Sequence, residues 1–268
     1  MRCDLHCHST ESDGTETPAE VAARAGSLGL ALFALSDHDT VTRIDVPGTR
    51  TIRAVEISCD YQGRTIHLLA YDRGGAGWTD LEARLATTRE ARRNRLRVMA
   101  ARLAQRGVRI DVEPIIARAD GRSVGRPDLA RAMVAAGAAT SMDDAFARHL
   151  YDNGPVDVPH HGLSLRDALA LGRAANAAMS LAHPHYYNER AGDLVRRYKM
   201  EGMTGLEAFY GSYDSARRRR FVAIADELGV TCTGGSDWHG LEREDLASRM
   251  GIDLPSRRAD ALLRWLEP

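Results

Sequence analysis

Asp4-Leu5-His6-Cys7-His8-Ser9, followed closely by Asp13-Gly14, is the stretch around which the rest of the chain is organised. A short strand over 2–5 ends where two histidines begin at a spacing of two. In extended backbone, residues two apart point to the same side. His6 and His8 therefore aim two imidazoles at one point while Cys7 faces the other way. Neutral imidazole suits zinc, iron and related divalent metals.

The far end of the chain repeats this device. Asp237-x-His239 has the same spacing of two, and it follows Gly234-Gly235, which permits a tight backbone where ligands crowd. Between the two ends, short apolar strands alternate with helical stretches. Thr17-Pro18-Ala19-Glu20 carries an N-cap, a proline at the first helical position and a glutamate at N3, so it starts a helix reaching about Gly29. The apolar run 30–35 is read as a buried parallel strand ending in Ser36-Asp37-His38-Asp39. Strands are expected at 51–57, delivering Glu56, and at 65–71, carrying His67. Leu81, Leu85, Leu96, Met99 and Leu103 mark one side of a long helix over 78–106, whose many arginines are read as a solvated face. The alternative is a cationic lid over an anionic substrate. A helix over 164–178, a strand at 179–182 ending in His183, a helix over 191–201, a strand at 205–207 closing on Glu207, a helix over 212–228 and a strand at 230–233 complete the alternation before a final helix near 259–266.

His6, His8, His38, Glu56, His183, Asp237 and His239 thus lie at or just past the carboxyl ends of predicted strands. In parallel β/α barrels that rim collects the loops that build sites. With Asp13 and His67 the candidate ligands number nine, more than one ion needs, and Glu56 can bridge two. A cluster of two or three divalent ions follows, about 3.5–4 Å apart if they share an oxygen. Without thiolate ligands, Mn fits best, with Fe or catalytic Zn as alternatives.

Bulk properties exclude several classes. The 268 residues suit one large α/β unit with a small insert, and 44% hydrophobic with 27% charged residues is ordinary for a globular protein. A net charge of −1 argues against a global field for nucleic acid or membrane. Cys3, Cys7, Cys59 and Cys232 form no CxxC pair and are read as buried reduced thiols. The chain starts directly at the motif with no signal peptide, and no apolar run approaches the ~20 residues a bilayer needs. A cytoplasmic location is expected. Residues 110–153 are helical in pattern and lack a strand, so the expected organisation is a catalytic unit of 1–109 and 154–268 with a helical insertion, 110–153, acting as a substrate cap. Asp37 and Asp39 are read as orienting His38 or capping its turn, and Ser9 and Ser236 as turn-formers. The Arg217–Arg220 run cannot form one coherent helix face.

The ordered blocks DLHCHSTESDG, LSDHDT, AVEIS, HLLAY, LAHP and GGSDWHG resemble the signature motifs of the PHP (polymerase and histidinol phosphatase) family across essentially the whole chain. The resemblance implies an α/β fold, a distorted seven-stranded barrel, with a trinuclear metal centre whose bridging hydroxide attacks a phosphate ester. By matching motif, one ion would take His6, His8, Glu56 and Asp237, a second Glu56, His67 and His183, and a third Asp13, His38 and His239. Glu56, His183 and Asp237 then stand as catalytic residues as well as ligands. The insert with Gly125-Arg126-Pro127 is similar to the nucleotide-acting subgroup, which implies phosphate monoester hydrolysis on a nucleotide, with diester cleavage or a non-catalytic metal-binding module as alternatives. Arg126 is the expected phosphate clamp and His160, with its neighbour His161, a further substrate contact. The expected partner is a small phosphorylated substrate, a nucleotide or short oligonucleotide end, with no membrane and no stable protein partner. Two departures stand out: Asp128 replaces a histidine found in many relatives, which should weaken phosphate attraction, and 41–50 is too short for the usual helix.

Overall fold

The computed structural model describes residues 1–119, 121–151, 153–159, 162–187, 190–240 and 250–268. In chain order its strands are β1 (Arg2–Asp4), β2 (Leu32–Phe33), β3 (Arg50–Thr51), β4 (Ala54–Tyr61), β5 (Arg64–Asp72), β6 (Leu163–Ser164), β7 (Ala177–Leu181), β8 (Met203–Tyr210), β9 (Thr231–Gly235) and β10 (Ile252–Asp253). The helices are α1 (Pro18–Ser27), α2 (Trp78–Gln105), α3 (Glu113–Ala117), α4 (Arg126–Ala135), α5 (Met142–Ala145), α6 (Leu165–Ala174), α7 (Arg190–Tyr198), α8 (Ser215–Leu228) and α9 (Ser256–Trp265).

Local chemistry sets several of these boundaries. The capping box at α1 forms as expected: Thr17 Oγ1 accepts from Glu20 N at 3.3 Å, and Thr17 N donates to Glu20 Oε2 at 2.7 Å. The 41–49 segment is irregular, as its length demanded. Helix α6 stops four residues short of the expected end, because Asn176 takes a left-handed φ of 52° and the alanines after it enter β7.

The strands form two mixed sheets, ordered β10-β1-β2-β3 and β6-β4-β5-β7-β8-β9. Among the described residues these ladders do not close into a single ring of seven. The ladders are mixed: β5 pairs antiparallel with both β4 and β7, and β10 antiparallel with β1, while β2, the strand read as parallel, is parallel to both β1 and β3. The β4–β5 hairpin turns at Gln62-Gly63, where both residues have positive φ, and this two-residue turn fixes the register that pairs Tyr61 with Arg64. Hydrogen bonds nevertheless cross between the sheets at two seams. Leu5 N donates to Gly234 O and Asp237 N to His6 O on one side, while Asp39 N donates to Glu56 O on the other. The chain segments just past β1, β2, β4 and β9 are thereby brought side by side.

One apolar cluster lies between the sheets and the helices, with Leu5, Ile57, Leu68, Leu181, Leu206 and Phe221 among its members. A second gathers Leu96, Met99 and Leu103 with Val124, Leu129, Met133, Leu150 and Val156. Helix α2 serves both: Leu81 and Leu85 pack on the first and its C-terminal half on the second. Burying apolar surface on two sides makes α2 the rigid link between the sheets and the 110–153 segment. No described helix is long and apolar enough to cross a membrane.

Candidate metal centre

All nine predicted ligands converge on one point, but not all from carboxyl-terminal strand ends: Glu56 lies within β4, His67 in the first half of β5 and Asp13 in a loop. Glu56, 1% exposed, stands at the middle. Its Oε2 lies 3.2 Å from His6 Nε2, 3.1 Å from His8 Nε2 and 3.1 Å from His38 Nδ1. Its Oε1 lies 3.0 Å from His67 Nδ1 and 2.9 Å from His183 Nε2. Asp237 Oδ1 is 3.3 Å from both His6 Nε2 and His8 Nε2. Asp13 completes the set at 3.3 Å from His239 Nε2 and 3.8 Å from His38 Nε2.

The backbone is shaped for this crowding. A Cβ at Gly235 would collide with His6, and one at Gly14 would sit 2.7 Å from His8 O. His183 and Asp237 both adopt positive φ, 27° and 57°, an arrangement costing about 1–3 kcal/mol each that persists at over-determined sites. Cys7 turns away into a cluster with Val21, Phe33 and Trp238, as the alternation required.

The donor set fits divalent cations. Nε2 of His6 and His8, Nδ1 of His38 and His183, and Oε2 of Glu56 are buried without a hydrogen-bond partner among the described residues. Groups such as His6–Glu56–His183, His6–His8–Asp237, His8–Asp13–His38 and His38–Glu56–His67 present ligand atoms within 4.8 Å of one another. Burial would raise the Glu56 carboxyl, but the imidazoles of His38, His6 and His67 hold it well below the usual range. Asp13 and Asp237 are likewise depressed, against burial, by neighbouring imidazoles. Burial opposes a proton on His8, yet Asp237, Glu56 and Asp13 push it up to about 10, whereas burial wins at His38 and His67 and lowers both. Three ionised carboxylates among six imidazoles, with lone pairs converging and unsatisfied, need positive charge between them.

Residues not anticipated as functional orient this set. Glu207, fully buried, accepts from His6 Nδ1 at 2.9 Å and from His183 N at 2.6 Å. It lies inside β8, which runs three residues past the expected end at Glu207, and its place at the close of the expected strand was the available signal. Tyr210 donates its hydroxyl to Asp237 Oδ2 at 2.7 Å, leaving Oδ1 for the imidazoles. Of the two expected roles of Asp37 and Asp39, orienting His38 finds no hydrogen bond among the described residues, whereas Asp37 does hold its turn, accepting from Thr42 Oγ1 at 2.6 Å. Asp37 accepts from Ser9 N, Ser9 Oγ and Ser12 Oγ at 2.7–2.8 Å, pinning the loop after His8. Asp39 accepts from Ser58 N at 2.8 Å and from Arg92 Nε at 2.6 Å. Ser9 and Ser236 serve the turns, the latter through its amide to Asp4.

The arginines of α2 are not simply a solvated face. Arg92 is 8% exposed, and Arg92, Arg93 and Arg95 donate to the carbonyls of Val124, Ala119 and Val158. They fasten the 110–159 chain above the site. Asp128 is buried by the start of α4, accepting from Gly125 N at 2.8 Å and pairing with Arg122 at 3.3 Å and Arg131 at 3.4 Å. Those two arginines also donate to the carbonyls of Ser12 and Asp13. Its charge is therefore spent on bracing the Asp13 loop, not on repelling phosphate. Asp128 does not line the cleft, whereas Gly125, Arg126 and Pro127 do. Arg126 donates to Leu150 O at 3.1 Å and lies over the Phe146 ring. His160 and His161 fall outside the described residues. All four cysteines are free and buried.

Asp13, His38, Glu56, His67, His183, Asp237 and His239 open into a cleft of about 1950 Å³. No protein-family model matches the chain. It is 31% identical over 250 residues to a 3′,5′-nucleoside bisphosphate phosphatase of Chromobacterium violaceum, covering 88% of this chain and 86% of that one. It is 32% identical over 249 residues to a 5′-3′ exoribonuclease of Haemophilus influenzae, covering 88% and 89%. Among solved structures, a Bifidobacterium adolescentis protein assigned as a metal-dependent phosphoesterase superposes with a TM-score of 0.81 at 27% identity over 98% of this chain and 96% of its own. The relatives share a metal-dependent phosphoesterase architecture, and the site has the donor set such chemistry needs. The chain belongs to the PHP family of metal-dependent phosphoesterases, hydrolases acting on phosphoric esters.

Proposed function

We propose that this chain hydrolyses a phosphate monoester of a nucleotide, such as a nucleoside 3′,5′-bisphosphate or a 5′-phosphate, with two or three divalent ions, manganese first among them. What carries the reading is Glu56, a single buried carboxylate whose two oxygens each face a separate group of imidazoles. His6, His8, Glu56 and Asp237 would hold one ion, Glu56, His67 and His183 a second, and Asp13, His38 and His239 a third. Oxygen and nitrogen donors without thiolate favour manganese or iron, with catalytic zinc next. We read the two sheets as the opened halves of a distorted barrel, and the 110–153 segment as its substrate cap.

When bound, the ions supply charge at the phosphoryl oxygens and a deprotonated water at neutral pH. The protein's part is to prepare that site. Glu207 accepts the hydrogen bond from His6 Nδ1–H, which fixes the tautomer and turns the Nε2 lone pair inward. The Tyr210 hydroxyl holds Asp237 so that one oxygen faces the cluster. Arg126, in the cleft wall, offers a planar fork to a phosphate.

Diester cleavage is the second reading, favoured by the size of the cleft and by the relatives named as an exoribonuclease and, at 27% identity, a phosphoribosyl 1,2-cyclic phosphate 1,2-diphosphodiesterase. A non-catalytic module is disfavoured because all nine ligand positions are kept. Two assays under Mn²⁺ separate the first two: phosphate release from a nucleoside 3′,5′-bisphosphate and nucleotide release from a short 5′-phosphorylated RNA. Turnover of diesters alone would overturn the monoester reading. Asp237→Ala should abolish both activities while the fold remains.

A further inference from the structure

Outside the 110–153 segment the cleft lining carries charge that the metal chemistry does not use. On α7, Arg190, Asp193, Leu194 and Arg197 all line the cleft. Their spacing of 0, 3, 4 and 7 makes one helical stripe, with the two arginines about 10.5 Å apart along the axis. Arg64 joins them from the start of β5, and Arg220 from α8. Arg220 is the one member of the Arg217–Arg220 run that reaches the cleft. Arg197 donates to Tyr61 Oη at 3.3 Å, which places the stripe against the tip of the β4–β5 hairpin. Arg64 is three residues from His67 and Tyr61 five from Glu56, so the cluster lies roughly 10–17 Å along extended strand from the ligands.

Exposed arginines usually face solvent with an acid nearby, and several here do. Arg43 pairs with Glu82, Arg97 with Glu113, Arg166 with Glu201 and Arg258 with Asp226. On α7 itself, Arg196 points the other way and takes both Asp193 and Glu227. By contrast Arg64, Arg190 and Arg220 form no ion pair among the described residues, and Glu201, the acid whose charge reaches Arg197, is already paired with Arg166 at 2.8 Å. Asp193, the acid on their stripe, is already drawn off by Arg196 at 3.0 Å. In a chain of net charge −1, this leaves uncompensated positive charge concentrated in the cleft lining. A cleft of about 1950 Å³ also exceeds the roughly 300–1,000 Å³ of a small-ligand pocket.

We propose that Arg64, Arg190, Arg197 and Arg220 form a second phosphate-binding subsite, which holds a phosphate group of the substrate other than the one hydrolysed. This rests on the phosphoesterase reading above and narrows it to substrates with at least two phosphate groups. The second phosphate comes either from the other end of a bisphosphorylated nucleotide or from the next linkage of a single strand. Guanidinium forks bind either, since the contact is to phosphate and not to base.

The test compares wild type with Arg190→Gln/Arg197→Gln, using Arg196→Gln as a control that alters the same helix on its outer side. Each is loaded with Mn²⁺, checked for metal content and thermal stability, and assayed on p-nitrophenyl phosphate, a nucleoside 3′,5′-bisphosphate and a 5′-phosphorylated RNA trinucleotide. Binding of a fluorescein-labelled trinucleotide is followed in parallel across salt, so the result does not depend on turnover. The double variant should lose on the order of tenfold or more in kcat/KM through KM on a multiply phosphorylated probe. Its p-nitrophenyl phosphate rate and metal content should stay unchanged, and the slope of trinucleotide binding against salt should fall by about 0.7 per lost contact. Whichever of the two phosphorylated probes is affected identifies the source of the second phosphate. Equal kinetics and binding in wild type and double variant, or an equal loss on all three probes, would overturn the subsite. Wild type inactive on every probe would instead overturn the phosphoesterase reading, and trinucleotide binding would still judge the subsite.

Discussion

Replacing Arg92 by leucine removes the one guanidinium that ties the metal-site loops, α2 and the 110–159 chain together. The side chain is 8% exposed and donates to Asp39 Oδ2 at 2.6 Å, Ser58 Oγ at 2.5 Å and Val124 O at 3.2 Å. Without it, the fully buried Asp39 carboxylate keeps the Ser58 amide at 2.8 Å as its hydrogen-bond donor among the described residues. Removing one partner of a buried pair costs about 3–5 kcal/mol, because the remaining charge stays desolvated. For a chain of this size each kcal/mol is about 2–4 °C in Tm, so a drop of about 6–20 °C is expected. Urea and thermal unfolding should be followed on metal-free protein, because bound ions add a ligand term of their own. The companion Arg92→Leu/Asp39→Asn removes the stranded charge and should recover about 1–3 kcal/mol. A Tm unchanged within 2 °C, or a double variant no better than the single, would refute the reasoning.

Three other outcomes follow from the same contacts. Glu207→Gln exchanges the acceptor that holds His6 and the His183 amide, and should weaken metal affinity by about 10–100-fold with the fold intact, read by metal titration. Asp128→Ala frees Arg122 and Arg131 from the Asp13 loop and should lower stability by about 1–3 kcal/mol. It should also loosen the ion held by Asp13, His38 and His239 before the others, and a third equivalent retained at wild-type affinity would contradict that. The metal-free chain should respond to pH in both directions. His8 is raised to about 10 and His6 also rises, so the stability they contribute is complete below about 6.5 and is lost as pH climbs towards 10. Asp13, Glu56 and Asp237 are depressed, so theirs is present above about 4 and is lost on acidification. Metal affinity should rise across the interval where metal-free stability falls, since ions displace those protons. Metal-free stability flat from pH 6 to 9 would count against the cluster's geometry.

Most of the candidate ligands were legible in sequence because they follow a short strand or a glycine pair, where a period of two dictates direction; Glu56 and His67 lie inside β4 and β5 instead. His6 and His8 against Cys7 is the clearest case, and the structure places them as alternation requires. What packs around them was less legible. Glu207 is a buried acid within a strand like Glu56, but nothing local says that it faces the outer nitrogen of an imidazole rather than the centre of the cluster. Arg92 sits within an arginine-rich helix whose pattern matches a solvated surface, and it is the distant 110–159 chain that buries it. Asp128 looked like lost phosphate attraction because its partners, Arg122 and Arg131, become neighbours only once α4 starts at Arg126. The antiparallel run of β5 and the split into two sheets depend on pairing between strands, which single-strand patterns do not encode.

Elemental analysis of the purified chain, paired with phosphate release before and after chelation, tests the central claim most directly. The wild type should retain two or three divalent ions per chain and lose turnover when they are stripped, and His8→Ala should hold fewer. A chain that binds no ion under any loading condition, or that releases phosphate undiminished after stripping, would contradict it.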